Sequence, residues 1–324
     1  MAKVYITRPI ADEALASIRG AARVALWPNP DLPPPREVIL EQVRGVDGVL
    51  CLLTDTIDAQ VIDAGPSLRV ISNLAVGYDN IDVAAATARG ILVCNTPGVL
   101  TETTADLAWS LIMAAARRIP EAERYLRAGS WKSWSPQLML GQDVHGATLG
   151  VVGLGRIGQA VARRASGFGM RILYADLAPK PEAEALGASF AELPQLLRES
   201  DIVSIHTPLT DRTHHLIGAK ELALMKPSAV LINTARGAIV DGKALADALR
   251  GGCIFAAGLD VLESEPPEPD DPLLHLDNCV VLPHIGSASV ATRTRMATMA
   301  AENVLAALEG RRPPHLVNPE AFSP

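Results

Sequence analysis

Aromatic residues are scarce in this sequence: Phe, Tyr and Trp together make up 4% of 324 residues. The core must therefore rest on Ala, Val, Leu and Ile, a composition that favours helices packed on aliphatic strands. Charge of one sign forms no long run, and the formal net charge is −7. A basic footprint is missing, so no nucleic-acid partner is expected. Cysteine is rare. Cys51, Cys94, Cys253 and Cys279 lie far apart and include no C-x-x-C pair. That removes a disulfide framework and a structural zinc site, and it suits a reducing, cytoplasmic setting. No resident metal is expected. Long hydrophobic runs are also missing. Residues 1–9 hold no apolar stretch of signal-peptide or anchor length, so no membrane partner is expected. What is present, 48% hydrophobic and 20% charged residues, is the mixture of an ordinary globular protein. The length suits about two domains.

Short aliphatic runs alternate with alanine-rich amphipathic segments. Residues 4–7, 24–27, 48–53, 70–74 and 91–94 read as buried strands, with helices at 36–43 and 83–88 between them. Asn95-Thr-Pro-Gly98 breaks the pattern. An apolar helix follows over 102–118, with Thr101 or Thr103 as its N-cap. Residues 129–141, rich in Trp and Pro, read as irregular, and 266–271 as a surface loop. A second series has strands at 148–152, 171–175, 202–206, 229–233, 256–260 and 280–282, and a last helix covers about 290–309. Alternation of this kind predicts βαβ units. The expected fold class is α/β, with two Rossmann-like, doubly wound parallel-sheet domains. One comprises residues 1–98 plus 288–324, because chain ends tend to lie together. The other comprises 99–287.

Only the strand at 148–152 runs straight into a glycine-rich turn, Gly153-Leu154-Gly155-Arg156-Ile157-Gly158. Glycine is common here, so the motif carries weight only through its context between a strand and a helix. Gly153 allows the tight turn, Gly155 removes a Cβ that would block a pyrophosphate, and Gly158 lets the helix sit close to the strand. The phosphates then meet free amides and the positive end of the helix dipole. Asp176 ends the next strand, near the expected distance of about 20 residues for a carboxylate that binds ribose hydroxyls. It would repel a 2′-phosphate, and no arginine stands beside it. The cofactor expected is NAD (NADH), in preference to NADP.

Hydride transfer requires a group that trades a proton with the substrate oxygen, and a cation or N–H donors for a substrate carboxylate. Arg236 follows a strand on a glycine-flanked turn and suits bidentate carboxylate binding. Glu265 follows the strand ending at Asp260, and His284 follows Val281-Leu-Pro283. A histidine beside a carboxylate has a fixed tautomer and favours the imidazolium, which can protonate a carbonyl. His214 and His215 are adjacent, so their side chains are expected to diverge and make a poor metal pair. His206 closes a strand near the glycine turn and is expected to pack there.

These stretches resemble the D-isomer-specific 2-hydroxyacid dehydrogenases, most nearly their glyoxylate/hydroxypyruvate reductase branch. The likeness runs through Asn73-Leu-Ala-Val-Gly-Tyr-Asp-Asn-Ile-Asp82, Asn95-Thr-Pro-Gly98, the glycine turn, Asn233-Thr-Ala-Arg-Gly237, Ala257-Gly-Leu-Asp-Val261 and Pro283-His-Ile-Gly-Ser-Ala-Ser289. The resemblance implies an NADH-dependent reductase of a short 2-oxo acid, with glyoxylate and hydroxypyruvate leading and the site in the cleft between two domains. It implies catalytic Arg236, Glu265 and His284, with Glu263 as a decoy for Glu265. Val76 and Gly77 then hold the substrate carboxylate and Leu53 lines the same place. Thr104, Thr207, Thr234, Asp260 and Gly286 fall where the family contacts dinucleotide. Residues 100–145 resemble its dimerisation arm, which implies a homodimer. Trp134 is the candidate to reach the partner's site, with Trp131 the alternative. Phosphoglycerate, D-lactate and phosphite dehydrogenases share the motifs. An NAD-sensing binding protein of this fold is the reading from a different class.

Overall fold

Both alternating series fold as parallel sheets. A computed structural model describes residues 1–322. The chain divides into Met1–Leu100 together with the segment from Ala288 on, and Thr101–Ser287.

In the first unit, β1 (Lys3–Ile6), β2 (Arg23–Leu26), β3 (Gly48–Cys51), β4 (Val70–Asn73) and β5 (Leu92–Cys94) pair in the order β2-β1-β3-β4-β5. Every pairing is parallel. All residues of β3 and β4 are buried, as expected of strands covered on both faces. Successive side chains point to opposite faces and feed two cores. Val4, Ile6, Leu50 and Val70 pack with Ala297, Ala300, Ala301 and Val304 of the helix Val290–Leu308. Tyr5, Val49, Cys51 and Ile71 pack with Ile39, Val43, Val61 and Ile62. The late helix is capped by Ser289, whose Oγ accepts the Thr292 amide at 3.1 Å, a contact of about 1 kcal/mol. It is tied to the sheet by Ser72 Oγ donating to Ala300 O at 3.0 Å.

In the second unit, β6 (Thr148–Val152), β7 (Arg171–Ala175), β8 (Ala188–Phe190), β9 (Ile202–Ile205), β10 (Val230–Asn233), β11 (Ala256–Leu259) and β12 (Cys279–Val281) form a second parallel sheet. Its order is β12-β11-β10-β9-β6-β7-β8. Leu149, Val151, Ile232 and Ala256 face a layer built from Ala108, Leu111 and Ile112. Val152, Val203, Leu231 and Leu259 face Leu196, Leu245 and Leu249. The chain leaves β6 toward one edge and returns to β9 to build toward the other. That reversal places a crevice at the carboxyl ends of β6 and β9, where open α/β sheets bind ligands.

Three local expectations shift. Strand β8 carries no aliphatic run and its residues Ser189 and Phe190 are exposed, so hydrophobic patterning missed it. The helix Thr101–Ala116 starts at Thr101 itself and contains Thr103, so neither is its N-cap. Several strands end earlier than their apolar runs: Thr7, Leu53, Leu74, His206 and Asp260 lie beyond the ladders. These residues begin the carboxyl-end loops. Among the described residues, no helix is long and apolar enough to cross a membrane.

Candidate active site

Three glycines of the turn after β6 have separate reasons to lack a side chain. Gly153 has φ +92°, and a Cβ there would stand 2.8 Å from Thr207 N and 2.9 Å from the His206 carbonyl carbon. The turn thus presses on the chain leaving β9. A Cβ on Gly158 would stand 2.1 Å from Gly153 O, so the helix Arg156–Ala165 starts directly against the turn. At Gly155, chain neighbours aside, no described atom lies within 4 Å of a Cβ. The space is open at the amino end of a helix, and it fits a pyrophosphate approaching backbone N–H groups. Leu154 is buried, while Arg156 is exposed and Ile157 half-buried.

Asp176 follows β7 and grips this turn. Its Oδ2 accepts the Leu154 amide at 3.0 Å and its Oδ1 accepts the Leu177 amide at 2.7 Å. Lys180 Nζ stands 3.6 Å from Oδ1. Sequence reading found no arginine beside Asp176 and missed this lysine, which the bend after β7 brings back. Thr234 sits after β10. Its Oγ1 is buried without a protein partner among the described residues, so it suits a bound polar group. Asp260 is 1% exposed. Its oxygens accept the Ile285 and Gly286 amides, each at 2.7 Å. Burial pushes its carboxyl up, opposed by the Ile285 amide, by His284 and by the Gly286 amide. Thr104 Oγ1 donates to Gly286 O at 3.2 Å. Asp260 and Thr104 therefore shape the 284–286 turn. His206 shares a 2.8 Å hydrogen bond with Ser204 Oγ through Nε2, and burial pushes its imidazole down to about 3. It is a neutral packing residue.

Arg236, Glu265 and His284 lie on the loops leaving β10, β11 and β12, three neighbouring strands. Asn233 builds the first loop: its Nδ2 donates to Arg236 O at 2.8 Å and its Oδ1 accepts the Ala235 amide at 3.0 Å. Arg236 Nη1 donates to Ala235 O at 2.8 Å. His284 has φ +53°, a conformation uncommon outside glycine. Its amide donates to Asp260 O at 2.9 Å. Its Nδ1 meets Glu265 Oε2 at 2.6 Å. Glu265 Oε1 accepts the Leu262 amide at 3.1 Å, so both carboxylate oxygens are placed. The two side chains are 27% and 30% exposed. With Nδ1 engaged, Nε2 is the ring atom left for proton exchange.

Glu263, two residues before Glu265, has its own histidine. His215 Nε2 lies 2.5 Å from Glu263 Oε1. The expected divergence of His214 and His215 does not occur: their rings stack at 4.1 Å. His215 has φ +50°, and this left-handed backbone overrides the extended alternation on which the expectation rested. Donor atoms of His214, His215 and Glu263 all lie within 4.8 Å of one another.

In the first unit the loops after β3 and β4 are fixed from below. Asp55 is buried and accepts Thr7 Oγ1 at 2.5 Å and the Leu52 amide at 2.8 Å. Burial pushes its carboxyl up, against the hydrogen bonds of Thr7 and Leu52 and the Arg8 charge. Arg8 Nη1 stands 3.6 Å from Asp55 Oδ1. Asn80 Nδ2 donates to Leu52 O and Asp55 O, which sets the turn bearing Leu53. Ala75 O accepts the Thr96 amide at 2.9 Å, and Val76 O accepts Asn95 Nδ2 at 2.8 Å. Peptide planarity then aims the Val76 and Gly77 N–H groups to the opposite side. Sequence reading did not single out Arg8, Asp55 or Asn80. Buried polar pairs leave no periodic signal.

The segment after Ala116 is unlike the rest. The helix Ile119–Arg127 buries none of its residues. Ile119, Leu126, Trp131 and Leu140 are exposed, and Trp134 is 77% exposed.

Residues 109–286 match the family described as D-isomer specific 2-hydroxyacid dehydrogenase, NAD binding domain. A glyoxylate reductase of Korarchaeum cryptofilum is 56% identical over 320 residues, 98% of this chain and 96% of that protein. The crystal structure of the TT0316 protein of Thermus thermophilus superposes with a TM-score of 0.92 at 50% identity, over 97% of this chain and 99% of that one. An NADPH-dependent glyoxylate/hydroxypyruvate reductase of Sinorhizobium meliloti, solved with NADP and malonate, superposes with a TM-score of 0.86 at 34% identity, over 99% of this chain and 98% of that one. The glycine turn, the three strand-end residues and this likeness along the chain agree: the chain is an oxidoreductase that belongs to the D-isomer-specific 2-hydroxyacid dehydrogenase family.

Proposed function

We propose that the chain reduces short 2-oxo acids to D-2-hydroxy acids, glyoxylate to glycolate and hydroxypyruvate to D-glycerate. The observation that carries the reading is the 2.6 Å contact of His284 Nδ1 with Glu265 Oε2, beside the Arg236 loop. The activity named for the Korarchaeum relative supports it. Arg236 and the Val76 and Gly77 amides hold the substrate carboxylate, and Leu53 lines the same place. His284 gives a proton from Nε2 to the keto oxygen. Glu265 orients the ring and stabilises its positive charge. A bound reduced nicotinamide supplies the hydride received at C2. Gly153 to Gly158 hold its phosphates, with Thr207 and Thr234 beside them. Thr104, Asp260 and Gly286 form the turn that brings His284 to the same place. Arg8 is the cation beneath the Leu53 loop, and Asp55, Thr7 O and Thr54 occupy it. This argues against a phosphorylated substrate. The four cysteines are free thiols, which suits a reducing, cytoplasmic setting.

NADH is the cofactor of this reading, because Asp176 disfavours a 2′-phosphate. Oxidation of NADH and NADPH measured against glyoxylate, hydroxypyruvate and pyruvate tests substrate and cofactor together. Asp176→Ala is expected to lower kcat/KM for NADH by about 10–100-fold, the value of one hydrogen bond to a charged group. NADPH use should rise, since Lys180 then faces the 2′-position without its carboxylate. A wild type that prefers NADPH defeats the ribose argument. Absence of turnover on the whole panel favours a dinucleotide-binding protein.

The exposed Ile119 and Leu126 of the amphipathic helix Ile119–Arg127, with the Trp loop after it, support a homodimer arm within residues 100–145. The wild type should sediment at twice 34.2 kDa. Ile119→Glu combined with Leu126→Glu should sediment as single chains. In this reading Trp134 reaches the substrate of the partner subunit, and Trp134→Ala raises the glyoxylate KM about tenfold, or 1.4 kcal/mol. A single-chain wild type removes both roles.

A further inference from the structure

We infer that His215 is a positioning residue for the reduction, holding through Glu263 the loop that presents Glu265 to His284. The inference rests on the reading of His284 and Glu265 as the acid and its carboxylate partner.

Three chain segments meet beside the Arg236 loop, all within the second unit. The first is the loop after β11. A Cβ on Gly237 would stand 1.9 Å from the Leu262 carbonyl carbon and oxygen and 2.4 Å from Glu263 N. The Arg236 turn and the Glu265 loop therefore touch backbone to backbone, with no layer of side chains to absorb a shift. The second segment is 214–217, which runs alongside 238–241. His215 N donates to Ala238 O at 2.8 Å, Ile217 N to Ile239 O at 3.1 Å, and Asp241 N to Ile217 O at 3.0 Å. The third is the amino end of the helix Gly242–Arg250, whose Gly242 amide reaches Glu263 Oε2 at 3.4 Å.

Glu263 is the side chain that ties these segments together. One oxygen meets His215 Nε2 at 2.5 Å, and the other faces Gly242 N. The His214 ring, stacked at 4.1 Å, backs the His215 ring. His215 takes a left-handed backbone to reach this place, although it has no glycine's freedom to do so. Such conformations persist where surrounding contacts over-determine them. From Glu263 the loop continues to Glu265, whose Oε1 is fixed by Leu262 N and whose Oε2 meets His284. The loop thus carries two carboxylates with two histidines. One pair fixes the loop, and the other uses it. A small displacement of Glu265 degrades the proton-transfer geometry first, while the Arg236 turn keeps its own anchors on Asn233 and Ala235 O, so the effect falls mainly on kcat.

The test is steady-state kinetics of the full chain carrying His215→Ala, His215→Gln or Glu263→Gln, with His284→Ala alongside and thermal unfolding of each. His215→Ala should lower kcat with glyoxylate roughly tenfold, with the KM of glyoxylate and of NADH within about twofold of wild type. His215→Gln keeps an N–H for Glu263 and should recover most of the loss. Glu263→Gln should fall between them, and it keeps the inference testable where His215→Ala does not fold. Wild-type kcat in both His215→Ala and Glu263→Gln, with His284→Ala inactive, overturns the positioning role alone. A KM rise matching the kcat loss and no rescue by glutamine means a merely structural histidine, and overturns it too. Full activity in His284→Ala brings down the acid–base reading, and the inference with it.

Discussion

Replacing His284 is expected to lower kcat/KM for glyoxylate by about 10²–10⁴-fold, the contribution of a positioned acid–base group, or roughly 3–5 kcal/mol of barrier. The cleaner variant is His284→Asn rather than His284→Ala. His284 has φ +53°, a region that asparagine tolerates better than alanine. The asparagine variant would keep the turn whose Ile285 and Gly286 amides bind Asp260. It removes the imidazole and leaves Glu265 with its Leu262 contact. NADH affinity, read from fluorescence, should stay within about threefold, because the glycine turn after β6 belongs to other elements. The loss should appear in kcat, since proton donation is realised in the transition state. A His284→Asn protein that turns over glyoxylate at more than about a tenth of the wild-type rate would falsify the acid role.

The parts of this molecule that repeat were legible in the sequence. Aliphatic runs of three to six residues announced eleven of the strands, and one glycine turn marked the sheet's reversal at β6 and β9. Edge strand β8 left no trace because its Ser189 and Phe190 are exposed. Arg236, Glu265 and His284 could be named because each lies on the loop after a strand and matches the family's order. What sequence could not supply was pairing across long separations. Glu263 and Glu265 look alike in the chain. The family resemblance chose Glu265 over Glu263, but only the fold shows their partners, His215 for the first and His284 for the second. The same holds for Arg8 beneath Asp55, whereas Lys180, four residues from Asp176, is a local pair set by the bend after β7. In the Val76–Gly77 loop the informative atoms are carbonyl acceptors held by Thr96 N and Asn95 Nδ2, and backbone hydrogen bonds have no residue signature.

Arg236→Lys is expected to raise the glyoxylate KM by about 10²-fold and lower kcat several-fold, although the positive charge is retained. A guanidinium offers a planar fork that grips both carboxylate oxygens, and an ammonium offers a point. Each hydrogen bond to a charged group contributes about 1.5–3 kcal/mol. Loss of one, with the second weakened, therefore corresponds to roughly 10–10³-fold. In the proposed reading the fork is held in place before substrate arrives. Arg236 Nη1 is anchored on Ala235 O at 2.8 Å, and Asn233 holds both ends of the turn. Lysine can use none of that geometry in the same way. Gly237, pressed on Leu262, leaves the turn little room to shift and compensate. Oxamate, which carries the same carboxylate and a neighbouring carbonyl, should lose inhibition in proportion to the KM rise. NADH affinity should not change. If instead the lysine variant binds oxamate normally and loses NADH, Arg236 serves the dinucleotide, and the substrate carboxylate must be held by other groups.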